Sequence, residues 1–403
     1  MGKQYRPKVM NTRIIRRFRL GHRHGKLYDK PMTDQPIIHA LLPHKEKFTR
    51  QNAGAVAMVV EDMVNASKFG KNITIFGATL KDAPIISTYR SLTPKQGIIF
   101  GKNIGLARAY LHELKASGIS PDWVEIHGRC HVAAYLAAAR PDLKIVLILH
   151  NDPREMKGAK TVQERKKLAR SLTGIFSVSQ YLMDCFNDGL TPDDRAGIIQ
   201  QVTPHGIDKF SKNIPKKEKC INITGRMVAE KGMLEIAHAL AKILPKHPSW
   251  TAEFIGARHF SDGGGTPYEA QVAAALAPLG TQATALGFLP LAEVRARQRA
   301  SAIAVVPSVW QEPAGRVVLE AMASGCALIT TRRGGIPEYA EGRAMIIDTP
   351  TADHFALGLD QLLSDEQLLH TYQQKAWGDY PFTLAAAGHA LDLGRTSVLQ
   401  KRR

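Results

Sequence analysis

The chain has no apolar run long enough to span a bilayer. Stretches such as Ile145 to Leu149 fall far short of the roughly 18 residues a membrane-crossing helix needs. A soluble or peripheral protein is therefore expected. The basic N-terminus also lacks the apolar core of a signal peptide, so nothing in it directs secretion. Cysteine is scarce: Cys130, Cys185, Cys220 and Cys326 lie far apart, with no C-x-x-C pair and no clustered histidines. That spacing argues against a disulfide framework and a zinc site, and fits a reducing cytoplasm. No repeat of fixed period, zinc finger or RNP-type aromatic motif is present, so nucleic acid is not an expected partner despite the positive charge.

What is present suits a large folded chain. The 403 residues are 44% hydrophobic and 22% charged, enough for an extensive core and, by length, two domains. The formal net charge of +18 is unevenly placed. Residues 1–31 hold ten Lys or Arg against Asp29 alone, a net +9, and the other 372 residues hold the remaining +9. Such an arm would be drawn to an anionic membrane surface. A disordered tail, or a segment preceding a true start at Met10 or Met32, reads equally well.

From residue 35 onward, β-branched runs alternate with helical periods, the pattern of βαβ units and parallel sheets. Strands are expected at Pro36 to Leu42, Asn72 to Gly77, Val124 to Gly128, Lys144 to His150 and Gly174 to Ser179. Val56, Val59, Val60, Met63 and Val64 share one helical face, and Thr161 with Glu164 forms a capping box. A Lys-rich, Pro-containing stretch interrupts the alternation at Lys212 to Lys219. It resumes at Cys220 to Thr224, Thr251 to Gly256, Thr284 to Leu289, Ala302 to Pro307, Ala327 to Thr331 and Ala344 to Asp348. The fold class is α/β: an arm (1–34), two doubly wound domains (35–208 and 220–379) joined by a linker (209–219), and a helical tail (380–403). Open parallel sheets bind ligands at the carboxyl ends of their strands, so two such domains place a site in the cleft between them.

The most informative segment runs from Pro307 to Gly325, PSVWQEPAGRVVLEAMASG, a strand, a turn and a helix. Pro313 suits a first helical position and Gly315 admits a ligand to the backbone. The amides near Gly315, Arg316 and Val317 would then face an anion, for which a diphosphate is well suited. Glu312 and Glu320 stand eight apart, too far to act as one paired acid/base unit, and are expected to grip two different hydroxyl-rich groups. A solvated helix residue is the plainer reading of Glu320.

This segment resembles the E-x7-E region of the family 4 retaining glycosyltransferases of the GT-B fold, whose usual text is E-P-F-G, two variable positions, then L-E-A-M-A. The resemblance implies two Rossmann-like domains facing across a cleft. It places Glu312 beside the donor sugar and Glu320 on the nucleotide ribose, with Ala314, Gly315, Arg316 and Val317 at the donor. Thr224 to Gly232, TGRMVAEKG, is similar to the family's G-R and E-K-G loop after the first strand of the second domain. There Gly225 lies at the donor, while Arg226, a planar fork, and Lys231, a point charge, would neutralise the leaving diphosphate. Without the first segment, the same loop reads as an exposed basic turn.

Weaker matches extend the resemblance over most of residues 37 to 380. Gly334-Gly335-Ile336-Pro337-Glu338 matches G-G-x-x-E, whose glycines approach sugar or phosphate. Pro204-His205-Gly206-Ile207-Asp208 resembles P-N-G-V-D, with His205 in place of Asn. Phe288 and Leu289, after Gly287, would hold the base, or else form core at a strand end. In the first domain the family's Gly-Gly pair is reduced to Gly54. His150 ends a strand where family members often place a histidine facing the donor sugar, and Glu125 and His127 on the preceding strand are candidate acceptor-side groups. The family's terminal helix crosses back onto the first domain.

The resemblance further implies a UDP- or GDP-linked hexose-type donor, a glycan or lipid-linked glycan acceptor, and retention by front-face attack without an enzymic nucleophile. The setting would be envelope polysaccharide or lipopolysaccharide synthesis, in the cytoplasm or at the inner face of the membrane. No cofactor is expected. The chain has no D-x-D pair to hold a divalent ion on the diphosphate, so metal independence is expected as well. A nucleotide-sugar epimerase of the same architecture is the alternative enzyme, and a basic nucleic-acid-binding protein the more distant one.

Overall fold

The computed structural model describes residues 35–95, 101–258 and 265–401, and the basic arm lies outside them. In chain order the first domain contains β1 (Ile38–Leu41), α1 (Ala55–Ala66), β2 (Ile73–Ala78), β3 (Tyr89–Leu92), α2 (Lys102–Ser117), β4 (Trp123–His127), α3 (Cys130–Ala139), β5 (Ile145–Leu149), α4 (Val162–Ser171), β6 (Gly174–Ser177), α5 (Gln180–Asn187), α6 (Pro192–Arg195) and β7 (Ile199–Val202). The second contains β8 (Glu218–Thr224), α7 (Met233–Ile243), β9 (Thr251–Ile255), α8 (Pro267–Leu276), β10 (Ala283–Gly287), α9 (Leu291–Ala300), β11 (Ser301–Val306), α10 (Arg316–Ala323), β12 (Ala327–Thr331), α11 (Pro337–Ala340), β13 (Met345–Ile347), α12 (Ala352–Ser364) and α13 (Glu366–Trp377). A last helix, α14 (Leu384–Gln400), follows.

Both sheets are parallel, ordered β3-β2-β1-β4-β5-β6-β7 and β10-β9-β8-β11-β12-β13. The central strands β1, β4 and β5 are buried along their whole length, as expected when helices cover both faces of a parallel sheet. In each sheet the strand order reverses at one point, between β1 and β4 and between β8 and β11. Crevices for ligands open at such points, beyond the carboxyl ends of the strands. His127 ends β4, Thr224 ends β8 with Gly225 just beyond it, and Pro307 follows β11, so the motif loops gather at these crevices.

Two edge strands, β3 and β7, are not among the expected ones. Arg90 and Ser91 are exposed in β3, and β7 reads Ile-Gln-Gln-Val with every residue half-buried, so neither carries an apolar run. β8 begins at Glu218, inside the segment read as linker, because Lys217 anchors it: its ammonium donates to the carbonyls of Arg299 (2.8 Å) and Ser324 (2.7 Å). β10 stops at Gly287, whose φ of 68° turns the chain and carries Phe288 out of the sheet. The capping box forms: Thr161 Oγ1 accepts from the Glu164 amide at 3.1 Å, and Glu164 Oε2 accepts from the Thr161 amide at 3.0 Å.

α14 packs on α1 and β7 of the first domain. Gly388 makes this approach possible, since a Cβ there would overlap the carbonyl oxygen of Ala66 at the end of α1. Gly388→Ala is expected to cost about 1–3 kcal/mol through overpacking against rigid backbone. An unchanged midpoint in a denaturant melt would contradict that contact.

Candidate active site

The short turn Ala229–Lys231 after β8 closes on Gly232 at φ 68°. A side chain at Gly232 would overlap the Pro307 carbonyl, so glycine lets this loop lie directly against the loop that follows β11. The Glu230 carbonyl then accepts from the amides of Val309 (3.1 Å) and Trp310 (3.4 Å), which brings Lys231 to Glu312. Glu312 is only 6% exposed. Its Oε1 accepts from the Lys231 ammonium, Ser308 Oγ (2.5 Å) and Trp310 Nε1 (3.2 Å). Lys231 also sits over the Trp310 ring, 5.9 Å from its centroid. Sequence reasoning singled out Lys231 and Glu312 but assigned them to separate partners, whereas in this structure they hold each other.

The Gly-Gly pair has a different use from the one its motif suggests. A side chain at Gly334 would overlap the Glu312 carbonyl, and one at Gly335 would meet the Pro313 carbonyl at 2.5 Å. The Gly335 amide donates to the Glu312 carbonyl at 2.7 Å. These glycines fit the backbone under Glu312. Glu338 reaches across to the first domain, accepting from the amides of Gln180 (2.8 Å) and Tyr181 (2.7 Å) at the start of α5. Burial pushes its carboxyl up to about 7, against the pull of those two amides.

Helix α10 begins at Arg316, not at Pro313. Gly315 takes the N-cap position at φ 81°, and no side chain caps the helix start. Pro313 stays in the turn, where its carbonyl accepts from Ser179 Oγ of the first domain at 2.5 Å. Ala314 is buried, and Val317 packs half-buried against the core. The uncapped amides of the first turn are suited to an anion. Arg226, on the loop after Gly225, is exposed and makes no side-chain hydrogen bond or ion pair among the described residues. Phe288 is exposed and Leu289 half-buried, so Phe288 is not core.

The Arg316 side chain is committed to two carboxylates. Its guanidinium binds Asp62 of α1 and, through Nε at 3.3 Å, Glu320 one turn along. Burial opposes the charge on Arg316, but the two carboxylates outweigh it and hold its pKa above the ordinary value. Glu320 is buried rather than solvated. Burial raises its pKa, with Arg316 and Arg295 opposing. Asp62 escaped the sequence reading because a lone carboxylate beside an apolar helical stripe carries no signal of a partner so distant in the chain.

Gly54 is the N-cap of α1, but the Glu46 carboxylate lies over it. Glu46 Oε1 accepts from the Ala57 amide at 3.0 Å, and a Cβ at Gly54 would stand 2.7 Å from the same oxygen. The close approach expected of a ligand is made here by Glu46.

His150 follows β5 and keeps 7% of its surface exposed. Its Nε2 is 3.0 Å from Nδ1 of His127, with the rings stacked at 20°. Burial holds both neutral, pushing His127 down to about 3 and His150 well below the ordinary range. Glu125 is not an acceptor-side group. It is 1% exposed, accepts from Arg395 Nε and Nη2 at 2.8 Å each, and takes a further bond from Trp123 Nε1 at 3.1 Å. Among the described residues, no group of three or more His, Cys, Asp or Glu could hold a metal ion.

Residues 206–377, which include this loop cluster, match the family model described as Glycosyl transferases group 1. The match lies in the second half of the chain, over the domain that holds Lys231 and Glu312. A putative glycosyltransferase of Bacillus subtilis strain 168, YtcC, is 26% identical over 371 residues, covering 86% of this chain and 88% of that protein. A D-inositol 3-phosphate glycosyltransferase of Corynebacterium jeikeium is 30% identical over 176 residues, 43% of this chain and 41% of that one. Among solved structures, Anabaena Alr3699/HepE in complex with UDP and glucose superposes with a TM-score of 0.70 at 16% identity, covering 90% of this chain and all of that one. WaaG, a glycosyltransferase involved in lipopolysaccharide biosynthesis, superposes at 0.62 with 15% identity, covering 88% and 99%. The two Rossmann-like domains thus share the GT-B fold of these structures.

Proposed function

We propose that this glycosyltransferase is a retaining, metal-independent hexosyltransferase that uses a UDP- or GDP-linked sugar and a glycan or lipid-linked glycan acceptor. The observation that carries this reading is the contact of Lys231 with Glu312 beside the uncapped start of α10. In the working state the diphosphate lies over the amides of Gly315, Arg316 and Val317. Lys231 turns to it, joined by Arg226 from the same loop, and together they stabilise the charge that develops as the glycosidic bond breaks. Glu312, released from Lys231, accepts from a hydroxyl of the donor sugar, and Glu320 takes the ribose. His150, neutral in its buried place, hydrogen-bonds the sugar from the first domain. The departing phosphate receives the acceptor proton on the face it leaves, which retains the anomeric configuration without an enzymic nucleophile.

Among the described residues no helix is long and apolar enough to cross a membrane. The basic arm of residues 1–31 would hold the enzyme against the anionic inner face of a membrane, where a lipid-linked acceptor lies. HepE structures that contain UDP and UDP-glucose, and the lipopolysaccharide role in WaaG's name, favour this class of donor and acceptor.

A thermal-shift screen with UDP, GDP and ADP tests the reading. One nucleotide at a hundredfold excess over its Kd should stabilise the fold by about 2.7 kcal/mol. EDTA should leave that rise in Tm unchanged. No rise with any of the three would sink the proposal, and a rise that EDTA abolishes would remove its metal independence.

A further inference from the structure

His127 and His150 form a buried imidazole pair at the carboxyl ends of neighbouring strands, and a hydrogen bond between two neutral rings contains a single proton. Two arrangements satisfy the 3.0 Å contact between His127 Nδ1 and His150 Nε2. In one, His127 Nδ1–H donates, so the His127 Nε2 position is a bare lone pair and His150 bears its own proton on Nδ1. In the other, His150 Nε2–H donates, and His127 must bear its proton on Nε2.

His127 Nε2 is buried with no partner among the described residues. A buried N–H without an acceptor is rarer in proteins than an under-used acceptor, which favours the first arrangement. The charge nearby acts in the same direction. The Arg395 guanidinium, bound to Glu125 two residues earlier on the same strand, is the cation that His127 senses, and a lone pair toward a cation is preferred to an N–H. Arg395 Nη1 is itself a buried donor without an acceptor. Arg129 is the other charged neighbour of His150, and His205 lies close enough to feel the His150 ring. His127 Nε2 and Arg395 Nη1 are thus both buried. His150 retains accessible surface, and its Nδ1 is absent from the buried atoms that lack a partner.

We propose that His127 is a positioning residue that fixes His150 as the Nδ1–H tautomer, so that His150 presents a hydrogen-bond donor, not an acceptor, to the substrate. The consequence for transfer rests on the role given to His150 above. A donor on His150 would meet a hydroxyl oxygen or a ring oxygen of the nucleotide sugar, whereas the opposite tautomer would offer only a lone pair.

The full-length chain labelled with 15N-histidine decides the tautomer through long-range 1H–15N correlations, assigned with His150→Gln. The expected result is a protonated Nδ1 and a bare Nε2 on His150. The reverse pattern overturns the inference, whatever the kinetics. In transfer assays with the most active of UDP-, GDP- and ADP-glucose, His127→Asn should stay within about twofold of wild type, since its amide replaces the Nδ1–H, while His127→Leu should lose about tenfold in kcat. His127→Leu that keeps both the wild-type tautomer and the wild-type rate also overturns the inference. His150→Ala that transfers like wild type refutes the role of His150 itself, a separate failure from the tautomer result. Should His127→Leu not fold, the wild-type spectrum and His127→Asn still decide.

Discussion

Glu312→Ala is expected to lower transfer by about 10²–10³-fold, the range for removing one group that acts on the transition state. Affinity for the free nucleoside diphosphate should stay at the wild-type value or tighten. The two effects separate because Glu312 and Lys231 are bound to each other in this structure. A diphosphate must compete with that carboxylate for the ammonium, so removing the carboxylate leaves Lys231 free to bind phosphate, while the sugar loses its hydrogen-bond acceptor. Lys231→Ala should lose both transfer and diphosphate affinity. The measurements are steady-state transfer and calorimetric binding of the nucleotide identified by thermal shift. Undiminished transfer by Glu312→Ala would refute the assigned role, and weaker nucleotide binding by it would show that the pair does not compete with the diphosphate.

Arg395→Met and Glu125→Leu should each destabilise the fold by about 3–5 kcal/mol, while the double variant returns close to wild type. Both side chains are 1% exposed, and their two hydrogen bonds tie α14 to β4. Removing one partner leaves an uncompensated charge in a low-dielectric core, whereas removing both substitutes apolar volume of similar size. The test is a double-mutant cycle on denaturant midpoints. Additive losses, with the double variant weakest of all, would contradict the account of a desolvated pair.

The architecture was legible where burial writes itself into sequence. β5 and β11 are buried along their whole length and read as apolar runs between turn residues. β3 and β7 were not legible, because an edge strand meets the core on fewer sides and tolerates Arg90, Ser91, Gln200 and Gln201. In the site, the glycines and charges of the loops around Lys231 and Glu312 were visible because each motif is local, a few residues whose backbone must bend in a set way. Partners far apart in the chain were not visible. Nothing near Glu125 announces Arg395, nothing near Arg316 announces Asp62, and the Glu46 carboxylate over Gly54 is equally silent in the local text. The same distance explains why Glu125 read as an acceptor-side group and why the side-chain partners of Arg316 went unseen: residue type and position on an element give chemistry, while the partner that consumes it is chosen by the tertiary fold.

The return of α14 to the first domain also sets an order of events during synthesis. The strand that contains Glu125 emerges from the ribosome some 270 codons before the guanidinium that neutralises it. Until then the N-terminal lobe has an open flank over α1 and β7 and an unmatched carboxylate in its interior. It reaches its native packing only once α14 has been made, long after its first strand was translated.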